Sequence, residues 1–167
     1  MRNTESYLPL KFLCLLFYAM NYIKYIKSQI FKILKKDPQP LYKIIGEEKG
    51  VFELVKNFYK IMESDPKAKQ CLLVHELDKG LVPDIVKKKF FMFLCGWFGG
   101  PNLFIQTYGN PRMRARHMHI KITKVEKDQW LYCISNALDI HSCKIKKNDL
   151  YRFEGSFKAL ASRIQNM

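Results

Sequence analysis

Apolar residues recur along most of this chain at helical spacing, and no convincing alternation of the kind a strand needs is present. Val51, Val55, Phe58, Tyr59 and Met62 fall on one face, so Tyr59 points inward with its apolar neighbours. Ser64-Asp65-Pro66 ends that helix. A second stripe follows Pro83-Asp84 through Val86, Phe90, Phe93, Leu94 and Trp97, with Lys87 and Lys88 beside it, and stops at Gly99-Gly100-Pro101. Thr123 and Glu126 have capping-box spacing and open a helix carrying Trp130, Leu131, Ile134 and Leu138. A last helix shows Leu150, Phe153, Phe157, Leu160, Ala161 and Ile164 on one side. The pattern predicts an all-α domain of four substantial helices, with a basic connection punctuated by glycine and proline from Gly99 to Lys121.

The first forty residues read differently. From Tyr7 to Ile23 the run is apolar except for Lys11, Asn21 and the tyrosine hydroxyls, and a basic segment to Lys36 follows. This length is at the lower limit for spanning a bilayer, and Pro9 and Lys11 shorten the clean stretch. Three expectations stand for residues 7–36: a helix anchored to or lying on a membrane surface, a helical extension packed on the domain, or in part an extended start, since Met20 could equally begin a protein. Asp37-Pro38-Gln39-Pro40 breaks any helix, which predicts an N-terminal extension over residues 1–38 and a folded domain over 39–167.

Charge and cysteine content add chemistry to this outline. Lys and Arg number 29 against 15 Asp and Glu, a net +14, so an anionic partner is expected: nucleic acid, anionic lipid or an acidic cofactor. Residues 1–36 hold seven of those cations against Glu5 alone. The five cysteines form no C-x-x-C pair. Neither a zinc cage nor a disulfide framework is indicated, and reduced thiols suit a cytoplasmic location. There is no P-loop, GxGxxG, HExxH or GxSxG.

What remains is Tyr108-Gly-Asn-Pro-Arg-Met-Arg-Ala-Arg-His-Met-His, where Arg112, Arg114 and Arg116 lead into His117 and His119. Guanidinium forks pair with phosphate or carboxylate alike. Taken alone the segment fits a nucleic-acid contact, a solvated basic loop or a histidine ligand with supporting arginines.

Four separated motifs narrow this choice. NFYKIM at Asn57 to Met62, FLCGWFGGP at Phe93 to Pro101, the arginine-rich segment, and EKDQWLYC at Glu126 to Cys133 together resemble the truncated haemoglobins, most closely those of group II. The resemblance runs from about Leu41 to Leu138 and implies a shortened two-over-two globin fold around one haem b.

By that resemblance His117 is the haem-iron ligand, with its second ring nitrogen held by a carbonyl or carboxylate. Tyr59, Trp130 and His75 stand at the distal positions, each expected to offer a hydrogen-bond donor to a bound ligand. Val86 and Phe90 are expected above the porphyrin, Phe93 flat against it and Met118 at its border. Arg116 and Lys89 are expected at the propionates, with Arg112 and Arg114 as further candidates. His119 stands where the family usually has proline, Ile120-Lys121 replaces its Phe-Pro, and His119 is expected to be exposed. The implied ligands are dioxygen, nitric oxide, carbon monoxide and peroxide, with an external reductase for any redox turnover, since no flavin or nicotinamide module is present. A basic helical nucleic-acid-binding module is the alternative class, but no helix-turn-helix or RNA-binding motif supports it.

Overall fold

The structure is a computed structural model that describes residues 10–34 and 38–167, with backbone only for 10–17 and 31–34. The start of the apolar run at Tyr7, Pro9, the basic residues Lys35 and Lys36, and Asp37 of the helix-breaking stretch lie outside the described residues. The chain divides into two compact units, Met1–Pro38 and Gln39–Met167. The first unit contributes α1 (Leu10–Leu34). Its described side chains include exposed Tyr22, Ile23, Tyr25 and Ile30, with Lys24 and Lys27 among them. Among the described residues no helix is long and apolar enough to cross a membrane.

The second unit contains α2 (Leu41–Ile45), α3 (Glu47–Ser64), α4 (Lys69–Leu73), α5 (Asp84–Trp97), α6 (Leu103–Tyr108), α7 (Met113–His117), α8 (Lys124–Asp139) and α9 (Lys147–Ile164), and no strand among the described residues. The four long helices are those the apolar stripes predict. Val51, Val55, Phe58, Tyr59 and Met62 of α3 are buried, as are Phe93 and Leu94 of α5, and Phe153, Phe157, Leu160, Ala161 and Ile164 of α9. The pairs α3–α5 and α8–α9 pack together, and α3 also lies on α8, which gives the two-over-two arrangement.

Local chemistry sets the element ends. Asp65 caps the turn after α3 by accepting from the Lys67 N–H at 2.9 Å. The capping box opens α8: Thr123 Oγ1 accepts from the Val125 N–H at 3.1 Å, and Glu126 Oε2 accepts from the Thr123 N–H at 2.7 Å. After α5 the chain must turn at once, and Gly99 does so at φ +84°, a left-handed conformation costly for a residue with a Cβ. Gly100 then lies so close to the Tyr42 ring that a Cβ there would sit 2.5 Å from its carbons. The expected connection from Gly99 to Lys121 contains two short helices, α6 and α7, too brief to show a period in sequence.

Candidate functional site

The α7 turn is built from the motif that precedes it. Gly109 takes φ +70°, Asn110 Oδ1 accepts from the Arg112 N–H at 3.1 Å, and Arg112 itself is left-handed at φ +42°. These constraints reverse the chain and start a helix of five residues that ends at His117. Within it, His117 Nδ1 donates to the Met113 carbonyl at 2.6 Å. A carbonyl can only accept, so the hydrogen is on Nδ1 and the Nε2 lone pair is left free.

His117 faces a cavity of about 250 Å³ whose wall also carries Tyr59, His75, Val86, Phe90, Phe93 and Trp130. The long-range pairings of three helices assemble it. Tyr59 comes from α3, Val86, Phe90 and Phe93 from α5, and Trp130 from α8. Phe58 locks them from behind, with its ring 4.9 Å from Tyr59, 5.3 Å from Phe90 and 5.5 Å from Trp130 between centroids. Phe93 stacks on Trp97 at 5.6 Å and 25°. The turn carrying His75 is tied to α8 through the Cys71 N–H, which donates to Gln129 Oε1 at 2.9 Å.

Burial pushes the Tyr59 phenol well above its usual range, reinforced by Cys71 and the Glu63 carboxylate nearby, so the hydroxyl keeps its proton. Among the described residues neither this hydroxyl nor the Trp130 indole N–H has a hydrogen-bond partner. His75 behaves differently from expectation. Its Nδ1 donates to the Cys71 carbonyl at 2.9 Å, and burial lowers its pKa, with the charge of His117 adding to the effect. The ring is therefore neutral at neutral pH with Nε2 an acceptor, and His75 offers a donor into the cavity only when protonated. Cys71, also on the wall, is held as a thiol by burial, which raises its pKa to about 12.

Lys89 and Arg116 reach the cavity wall, each over an aromatic ring: Lys89 Nζ lies 5.3 Å from the Tyr108 centroid and the Arg116 guanidinium 5.8 Å from that of Phe104. Arg112 and Arg114 are exposed and do not line the cavity. Met118, expected at its border, is 56% exposed and outside the lining: its backbone is still helical, at φ −67° and ψ −21°, so its side chain lies about 100° around the axis from that of His117. His119 is exposed as expected. Phe104, Met113, Ile120 and Ile122 also line the wall. They stand on short helices and a loop with no periodic signal; sequence context marks only Met113, inside the arginine-rich motif, and Ile120, where the family pattern departs.

An apolar slot with a free imidazole lone pair, three cations at its wall (Lys89, Arg116 and Lys127, the last donating to Gln165 beside Glu126) and two donors without a protein partner among the described residues fits a haem: a flat apolar ring, an iron needing one nitrogen ligand, and two carboxylates. The family model of the bacterial-like globins matches residues 40–166. Group 2 truncated hemoglobin YjbI of Bacillus subtilis (strain 168) is 37% identical over 98 residues, 59% of this chain and 68% of that protein. Among solved structures, the cold-adapted truncated hemoglobin of the Antarctic marine bacterium Pseudoalteromonas haloplanktis TAC125 is similar with a TM-score of 0.70 and 36% identity, covering 77% of this chain and 99% of the other. The group II 2-on-2 hemoglobin of the plant pathogen Agrobacterium tumefaciens follows with a TM-score of 0.67 and 30% identity, covering 79% and 98%. The buried aromatic slot and these likenesses lead to one conclusion: the chain belongs to the bacterial-like globins, as a haem-binding truncated haemoglobin of group II.

Proposed function

We propose that the chain holds one haem b through His117 Nε2 and binds dioxygen, and also nitric oxide and carbon monoxide, beside Tyr59 and Trp130. The observation that carries this reading is the bond from His117 Nδ1 to the Met113 carbonyl, which leaves Nε2 free on a residue that lines the same cavity as Tyr59 and Trp130. Haem supplies the iron to which a diatomic ligand attaches, and the redox chemistry. The protein supplies the environment. Tyr59 and Trp130 donate toward the outer atom of the ligand, where partial negative charge collects, and the aromatic wall excludes water so that each donated bond counts for more. His75 accepts from a water in the pocket, or donates once protonated. Arg116 and Lys89 pair with the propionates, while Arg112 and Arg114 stay in solvent beside them. With an external reductase the same donors favour nitric-oxide dioxygenation or peroxide turnover, since both develop negative charge on oxygen.

The proposed location is the cytoplasm, with the 1–38 extension on an anionic membrane surface and the haem domain over residues 39–167. Support for the surface comes from α1, where Lys24 and Lys27 accompany Tyr22, Ile23, Ile26 and Ile30 with no acidic residue in the helix. Salt-sensitive binding of the full chain to anionic but not neutral vesicles is the expected result, and binding to neither would remove the contact.

Absorbance of the purified chain tests the haem reading. A Soret band that is lost in His117→Ala is expected. An undiminished band in that variant, or haem-free protein that binds DNA in a salt-sensitive manner, would overturn it.

A further inference from the structure

Beyond His117 the chain runs without regular structure as far as Thr123, with Met118 and His119 exposed and Ile120 and Ile122 turned back to the cavity wall. Backbone groups in such a stretch need partners from outside it. One side chain supplies three. Asn166 Nδ2 donates to the His117 carbonyl at 2.9 Å and to the Ile120 carbonyl at 2.8 Å, and its Oδ1 accepts from the Ile122 N–H at 3.0 Å. The Asn166 and Met167 N–H groups add bonds to the Ile122 carbonyl at 3.1 and 3.3 Å. A primary amide is suited to this task, because it carries two donors and an acceptor on one rigid plane. Its base is firm: α9 ends at Ile164, and Leu160, Ala161 and Ile164 are buried and line the same cavity.

We propose that Asn166 is a positioning residue for His117, a role that rests on His117 being the iron ligand. The Nδ1 bond to Met113 sets the rotation of the imidazole, and the Asn166 amide fixes the backbone from which that imidazole hangs. The ligand residue is thereby pinned to its own helix at one end and to α9 at the other. Loss of the amide leaves the His117 carbonyl with only the longer bond from the Ile120 N–H, at 3.3 Å, and lets Ile120 leave the wall, so the ring samples a wider range of tilts.

The test uses the full chain, with and without haem. Three variants are compared with the parent: Asn166→Ala, Asn166→Asp, and Asn136→Ala as a control whose amide bonds only the Tyr132 carbonyl one turn back. In the ferrous, ligand-free protein the resonance Raman iron–histidine stretching band is expected to shift or broaden in both Asn166 variants. Haem transfer to a scavenging acceptor protein is expected to be about tenfold faster, which corresponds to about 1.4 kcal/mol. In the haem-free protein, exchange of the Ile122 amide hydrogen rises in Asn166→Ala but stays slow in Asn166→Asp, which keeps the acceptor and loses both donors. Asn136→Ala leaves all three readings unchanged. An unmoved band in both Asn166 variants, or the same change in Asn136→Ala, overturns the positioning role. His117→Ala measured alongside separates the two ideas, because a histidine band surviving there overturns the ligand assignment itself.

Discussion

At the scale of single residues, the pocket differs from an ordinary aromatic core by two donors that the protein leaves unused. Tyr59 is 4% exposed and keeps its proton, yet its hydroxyl has no partner among the described residues. A donor on a cavity wall with no protein partner is available to a ligand that carries negative charge. A hydrogen bond to a charge-bearing group is worth about 1.5–3 kcal/mol, and about 1.4 kcal/mol is a factor of ten. Tyr59→Phe and Trp130→Phe are therefore each expected to speed dioxygen release by about ten- to a hundredfold, since lost contacts appear mainly in the off-rate. Carbon monoxide carries less charge on its outer atom, so its release should change less. Stopped-flow on the single and double variants reads both, and the double reveals coupling between donors that share one ligand. Dioxygen release unchanged within about threefold in all variants would assign the stabilisation elsewhere, to a water held by His75 or to His75 in its protonated form.

At the scale of elements, legibility followed length and period. The long helices α3, α5, α8 and α9 each carry an apolar face over several turns, and their stripes anticipated which residues are buried. Thr123 and Glu126 anticipated the start of α8 to the residue, because a capping box is a local device read within four positions. The cap also yields a measurable consequence. Thr123→Ala removes the acceptor for the Val125 N–H and is expected to lower stability by about 1 kcal/mol, seen as a lower midpoint in urea unfolding of the haem-free protein. A midpoint equal to the parent's would show that α8 is held by packing alone. The short helices α6 and α7 were not legible, since five or six residues hold too few turns for a pattern. The resemblance brought Tyr59, Trp130 and His117 together, which periodicity could not. It failed at Met118, whose helical backbone carries its side chain around the axis from His117 and out of the wall, and at His75, whose role depends on a carbonyl four residues away. Asn166 was invisible for a different reason: its partners lie 44 to 49 positions earlier in the chain, and a lone asparagine has no motif.

At the scale of the whole molecule, a net charge of +14 means that every proton added in acid joins a self-repelling chain. Two histidines determine where this first matters. His75 titrates below its ordinary value of 6.5 because of burial, with repulsion from His117 and partial relief from Glu63. His141 does so for the same primary reason, between Glu53, which raises it, and Lys144, which lowers it, and its buried Nε2 has no partner. Folding therefore holds both rings neutral in a range where the unfolded chain already binds protons. The unfolded state then carries more protons than the native one, so stability rises with pH through this window. Both contributions are fully present above pH 6.5, and they are lost as pH falls from there through the folded values. Asp65 and Glu126, whose carboxyls are held below the usual range by hydrogen bonds from Tyr132 and Thr123, lose their contributions only at lower pH. Thermal melts of the haem-free protein between about pH 8 and pH 5 should show the midpoint falling once pH drops under that value. The His75→Gln, His141→Gln double variant should show a flatter decline over the same interval. An equal slope in parent and double variant would mean that neither ring is held neutral by the fold, and the loss would then belong to the carboxylates.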